Sequence, residues 1–390
     1  MAALFLWRTE VPTGLDVEPT LAPFAALDLE RHERHDRVLR LISLGSLAAQ
    51  LGALALLAAR PPRVRGRVLI RAAQLGALAA VVLLAARLPF GLAALWWQRR
   101  YEVAELGYAR WLFERLGPLA VRAGLLAFAA ALCVWLARRY GRRWWLAAAP
   151  VFVVAGAAVI LAQPLVSPRL EPVPRPGVVE EVAQLAARQG LDRPDVELRR
   201  TRDRTRALNA EAIGIGPTTR VILWGTTLDL SVNVRGFLVA HELAHVSRAH
   251  LWKGLAWFAL LALPGLALVA WGTERRGGLR DPALVPFALL LALVAILLTQ
   301  PVANAVSRVY EAEADWIALE ATDDPESAIG LTVRFSLTGL GVPDPPAWAR
   351  IMLSTHPPGI DRIAMAEAYA SGSWQTASRF TPSGSSTNAP

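Results

Sequence analysis

Apolar residues along this chain gather in long blocks rather than alternating with polar ones. Six blocks, at 38–59, 68–87, 120–138, 144–163, 254–272 and 283–300, have the length of a membrane-crossing helix, which needs about 20 mostly apolar residues. Four come early and two late. The break at 96–118, containing "WWQRRYEVAELGYARWLFERLG", carries the aromatic and arginine residues of a segment at a membrane interface. Before the first block, residues 1–37 are polar and end in a helical lead, "LERHERHDRVLR", whose His32 and His35 alternate with charges and read as a solvated face.

A soluble part begins after the fourth block. The proline-rich "QPLVSPRLEPVPRPG" (163–177) cannot continue a helix and marks a boundary. "VVEEVAQLAARQGL" then has helical spacing, while "DVELRRT", "RALNAEAIGIG" and "TTRVILWGTTL" read as short strands between turns, enough for a small sheet. From Val232 the pattern is helical nearly into the fifth block, and "NAVSRVYEAEADWIALEAT" (304–322) forms a helix after the sixth. Residues 371–390 hold too little apolar content to fold and read as a disordered tail. No internal repeat is visible.

Composition agrees with the pattern. Hydrophobic residues make up 54% of the 390, which fits a mainly α, multi-span integral membrane protein with a small β-sheet. The net charge of +9 comes from arginines placed beside the blocks, as in "RPPRVRGR", "RRYGRR" and "ERRGGLR". There they meet anionic lipid headgroups. With no nucleic-acid motif beside them, nucleic acid is excluded as a partner. The single cysteine, Cys133, lies inside the third block as a small apolar residue, so a disulfide framework is excluded too. "MAALFLW" lacks a basic start and runs into Arg8 and Glu10, so no signal peptide is expected and the first block is the insertion signal.

The chemistry lies in "VAHELAHVSRAH" (239–250). Residues four apart share a helix face, so His241 and His245 can hold one ion, with Glu242 beside a water on it. Zinc would activate that water and polarise a scissile carbonyl, and Glu242 would carry the proton to the leaving amine. A third protein ligand is required, and Glu311 in "YEAEAD" is the candidate, with Glu313 as rival. Asp315, four residues past Glu311, is placed to accept a hydrogen bond from a ligand histidine. The alternative for each stretch is bland: interfacial histidines, and an acidic solvated face after the sixth block.

These stretches resemble a family of integral-membrane zinc metalloproteases that includes the type I CAAX prenyl proteases and the heat-shock protease HtpX. The resemblance rests on "HELAH", "SRVYEAEAD", "LNAEAIGIGPTTRVILWGTTL" and "STHPPGIDRIA", in that family's order, and spans about 178–368. Residues 88–117 are more loosely similar to the prenyl-protease branch. The resemblance implies a gluzincin-type HExxH metalloprotease region with one Zn2+ per chain, held by His241, His245 and Glu311. It also implies Glu242 as general base and Asp315 as support. Asn209 and Ala210 would lie on a substrate-aligning edge strand, and His356 and Arg362 at the family's carboxyl-terminal His-Pro and Arg positions.

Physical reasoning gives those additions a use. A substrate can bind as an extra strand on a sheet edge, where Asn209 can hold a carbonyl while His356 donates to the oxyanion. Equally, Asn209 suits a turn and "HPPG" a helix start. The family pattern has seven spans where six are apparent here, and prenylated substrates are not implied.

The organisation expected is a polar arm (1–37), a four-span region (38–165), a zinc metallopeptidase region with two inserted spans (166–370) and the tail. Expected partners are the lipid bilayer and polypeptide substrates, membrane-associated or unfolded. Basic residues are nearly balanced on the two sides of the membrane, and the resemblance implies a cytoplasmic catalytic face in a multi-pass cell-membrane protein. A non-catalytic zinc-binding scaffold is the rival, which has no need of Glu242, and a transporter is disfavoured because the blocks are mostly uncharged.

Overall fold

The computed structural model describes residues 6–12 and 18–372. Most of the tail expected over 371–390 therefore lies outside the described residues. Helices run α1 (Leu29–Ala59), α2 (Val68–Arg100), α3 (Tyr108–Leu116), α4 (Leu119–Tyr140) and α5 (Trp144–Val166). The soluble part follows with β1 (Glu171–Pro172), α6 (Pro176–Arg188), β2 (Asp195–Arg199), β3 (Ala210–Ile213), β4 (Arg220–Trp224) and α7 (Val232–Ser247). The chain then continues through α8 (His250–Glu274), α9 (Val285–Thr322), α10 (Pro325–Gly339), α11 (Ala347–Met352) and α12 (Gly359–Ser371).

Five helical stretches are long and apolar enough to cross a membrane: Leu29–Ala59, Val68–Arg100, Tyr108–Val166, His250–Glu274 and Pro282–Thr322. The third is folded back on itself. A single turn at Gly141–Arg143, with Gly141 at φ 62°, separates α4 from α5, and a positive φ suits glycine because it has no Cβ to clash. Six apolar helices result, one for each block in the sequence. They close a ring in which α1, α2, α4, α5, α8 and α9 each pack on the next, and α9 returns to α1. Large apolar side chains such as Val121, Phe128, Val154, Val159 and Leu298 remain exposed on these helices, as lipid contact would require.

Two of these helices run further than their apolar blocks. Helix α2 continues through Pro89 to Arg100, so Trp96 and Trp97 end a helix rather than begin a loop. The segment after it docks on the soluble part, with the backbone N–H of Glu105 donating to Arg204 O at 2.8 Å. Helix α9 is one continuous element of 38 residues, Pro301 included. It carries the sixth block straight into the acidic stretch, and so joins membrane to site.

The expected solvated face of His32 and His35 is a correction. Both are buried, because this end of α1 packs on α9 and the loop beyond α10. His32 Nδ1 lies 3.2 Å from Gly341 O, and the His35 ring packs 4.9 Å from Tyr101.

The sheet has the order β1-β2-β4-β3, with β2 and β4 parallel and the other pairs antiparallel. Only β3 leaves an edge toward α7. A buried ion pair fixes the sheet against the ring. Arg220 on β4 pairs with Glu197 on β2 and donates to the carbonyls of Pro164 (3.1 Å), Ser167 (3.3 Å) and Pro168 (3.1 Å) at the end of α5. Removing one member of a buried pair costs about 3–5 kcal/mol, so Arg220→Leu is expected to lower the thermal unfolding midpoint in detergent clearly. An unchanged midpoint would show that this anchor is dispensable.

Candidate metal centre

Helix α7 is the floor of the site. Its residues Phe237, Leu238, Val239, Ala240, Leu243 and Ala244 are buried, because the helix packs between α9, α10, α6 and the sheet. Apolar burial on nearly every side leaves His241 and His245 in one register toward α9, with Glu242 turned about 100° from His241 toward the sheet.

There the ligand atoms meet. His241 Nε2 lies 3.3 Å from His245 Nε2 and 3.2 Å from Glu311 Oε2, and His245 Nε2 lies 3.6 Å from Glu311 Oε1. A tetrahedral ion with ligands at about 2.0–2.1 Å would set them about 3.3 Å apart. The triangle has that size. Among the described residues this is the one group of three or more His, Cys, Asp or Glu whose ligand atoms all come within 4.8 Å of one another.

The electrostatics also suit a cation. Burial disfavours the charged form of His241, yet the Asp315 and Glu311 carboxylates beside it hold its pKa up to about 10. Positive charge is wanted at this point. His245 goes the other way, pulled down to about 3 by burial and then by its neighbour His241. A neutral imidazole is the form that ligates.

Support for His241 comes from two further residues. Asp315 Oδ1 lies 2.9 Å from His241 Nδ1, and Arg362 on α12 grips Asp315 with two hydrogen bonds, Nε to Oδ2 at 2.8 Å and Nη2 to Oδ1 at 2.6 Å. A carboxylate behind a ligand imidazole fixes its ring and tautomer. His356, on the loop between α11 and α12, brings Nε2 to 3.3 Å from Glu311 Oε2 and is largely exposed.

Glu242 faces the sheet. Its carboxylate takes a hydrogen bond from the backbone of Ala212 on the edge strand, and burial pushes its pKa up to about 7. It opens into a cleft of about 600 Å³ lined by Glu211, Ala212, Glu242, His245, Tyr310 and Glu311. The cleft adjoins an apolar cavity of about 640 Å³ between α5, α8 and α9, sharing Gly254, Phe258, Ser307 and Tyr310 with it.

The residues singled out from sequence thus divide. His241, Glu242, His245, Glu311, Asp315, His356 and Arg362 converge. Asn209 and Ala210 do not line the cleft: Ala210 is buried in the soluble core opposite Leu223, and Asn209 is exposed just before the strand. Glu211 and Ala212 take the positions on the cleft instead. Glu313 is no part of a solvated face either. It is fully buried and points away from the triangle, since two residues on a helix turn about 200°.

Fold and site together are those of a multi-helix membrane protein with a candidate metal centre toward the end of its long helix. Residues 174–370, just over half of the chain, match Peptidase family M48, and the chain belongs to that family. A relative described as the uncharacterized metalloprotease YhfN of Bacillus subtilis (strain 168) is 28% identical over 282 residues, which is 68% of this chain and 66%, just under two thirds, of the relative. The crystal structure of S. mikatae Ste24p superposes with a TM-score of 0.72 over 93% of both chains at 16% identity. The fold is therefore Ste24p-like along nearly its whole length.

Proposed function

We propose that this chain is a zinc-dependent endopeptidase that hydrolyses peptide bonds in membrane-associated or unfolded polypeptides. The observation that carries the reading is the His241–His245–Glu311 triangle with Glu242 beside it, its carboxylate held by the backbone of the edge strand. His241, His245 and Glu311 would hold one zinc. When bound, the ion supplies Lewis acidity and lowers the pKa of a water toward neutrality. Glu242 accepts the water's proton and returns it to the leaving amine.

Substrate would lie as an extra strand along β3, whose outer edge is next to Glu242. Strand addition draws on backbone hydrogen bonds and so accepts many sequences. Asn209 stands at the start of that edge, where it would hold a substrate carbonyl. His356, exposed beside Glu311, would donate to the oxyanion. The metallopeptidase region is taken as 166–370 with its two inserted spans, and the catalytic face as cytoplasmic, following the family resemblance.

The test needs no natural substrate. Detergent-purified protein is expected to carry one zinc per chain and to cut an unfolded test protein. Chelator should abolish cleavage and zinc restore it. Cleavage that survives complete removal of metal would overturn the reading.

A further inference from the structure

His250 sits directly behind the metal centre. It begins α8 after Ala249, which holds a left-handed φ of 55°, a conformation uncommon for a residue with a Cβ. On an unbroken helix, a residue five positions after His245 would lie about 140° around from it. The break turns His250 back. The two rings approach to 4.9 Å, and their Nδ1 atoms lie 2.8 Å apart.

The chain of contacts continues. His250 Nε2 lies 3.0 Å from Glu313 Oε2. Glu313 is fully buried and also accepts from Arg248 Nε at 3.0 Å, Lys253 Nζ at 3.2 Å and the Glu10 backbone N–H at 3.3 Å. The His250 ring stacks on Tyr310, with centroids 4.7 Å apart and planes 12° from parallel.

Two ring nitrogens at 2.8 Å need one proton between them. His245 offers Nε2 to the triangle, so as a ligand it keeps its lone pair there and its proton on Nδ1. That N–H donates to Nδ1 of His250. His250 must then be protonated on Nε2, which donates to Glu313. Every proton has one place.

We propose that His250 and Glu313 are positioning residues of the metal centre, fixing the tautomer and ring orientation of His245. They are the counterpart of Asp315 and Arg362 behind His241. The assignment rests on the zinc-centre reading above and extends it to the second histidine.

The experiment measures the zinc affinity of the full chain in detergent against a competing chelator. His250→Phe keeps the stack on Tyr310 but removes the acceptor, and is expected to weaken zinc by about 10- to 100-fold, the usual effect of losing such a partner. His250→Asn restores an acceptor oxygen near the Nδ1 position and is expected to bind zinc much as wild type does. The visible spectrum of the cobalt-loaded protein should shift in His250→Phe and return in His250→Asn, which a purely structural role would not produce.

Wild-type affinity in His250→Phe, or equal weakness in both variants, would overturn the assignment. A further measurement needs no variant: in zinc-loaded wild type with 15N-labelled histidine, His250 should show the Nε2–H tautomer. The Nδ1–H tautomer would also overturn it. A wild type that takes up no zinc would sink the zinc-centre reading as well, whereas a zinc-replete wild type with an indifferent His250→Phe would remove this assignment alone.

Discussion

Glu242→Gln is expected to retain one zinc per chain and to lose cleavage by on the order of 10²- to 10⁴-fold, the range for removal of a general base. The zinc expectation follows from geometry: the triangle is formed by His241, His245 and Glu311, and Glu242 is outside it. Glutamine has nearly the same shape, and its carbonyl oxygen can still accept from the Ala212 backbone. What it lacks is a site for the proton. Glu242 is suited to that task because burial lifts its pKa to about 7, and a base works best when its pKa is near the working pH. Zinc content and turnover of an unfolded substrate, measured on the same preparation, check both halves. Undiminished turnover would take the role of base away from Glu242.

The parts of this molecule that sequence displays are those under a strict local demand. A membrane requires length and apolarity, so all six apolar helices are visible as blocks. A metal requires ligands on one face, so His241 with His245, and Glu311 with Asp315, are visible as spacings of four. Where helix α9 passes from lipid to site, polarity changes but the backbone does not, and one helix of 38 residues reads as two elements. Tertiary partners are harder still. His32, His35 and Glu313 carry the sequence marks of exposure, yet are buried because distant segments cover them.

His250 shows the limit most clearly. Its partnership with His245 depends on a helix break at Ala249, and alanine is the residue least expected to end a helix. No glycine or proline marks the place. Arg362 has a similar history: its hold on Asp315 spans 47 positions, and only the family resemblance pointed to it. The edge strand, read over 206–216, forms only over Ala210–Ile213, and Glu211 and Ala212 rather than Asn209 and Ala210 line the cleft. Ala210 turns inward and Glu211 outward.

Glu311→Ala is expected to empty the centre, reducing zinc affinity by more than the roughly 10- to 100-fold that follows loss of a supporting residue, and to abolish cleavage with it. Two effects act together. One of the three proposed protein ligands is gone, and the carboxylate that helps hold positive charge at His241 goes with it. Glu311 lines the open cleft rather than the apolar core, so alanine there should leave the unfolding midpoint of the metal-free protein close to that of wild type. Zinc analysis after equilibrium dialysis, beside a thermal unfolding curve, distinguishes a lost ligand from a lost fold. Stoichiometric zinc in a folded Glu311→Ala would refute its place as third ligand. His356 would then be the group to examine, since its Nε2 lies 3.3 Å from Glu311 Oε2.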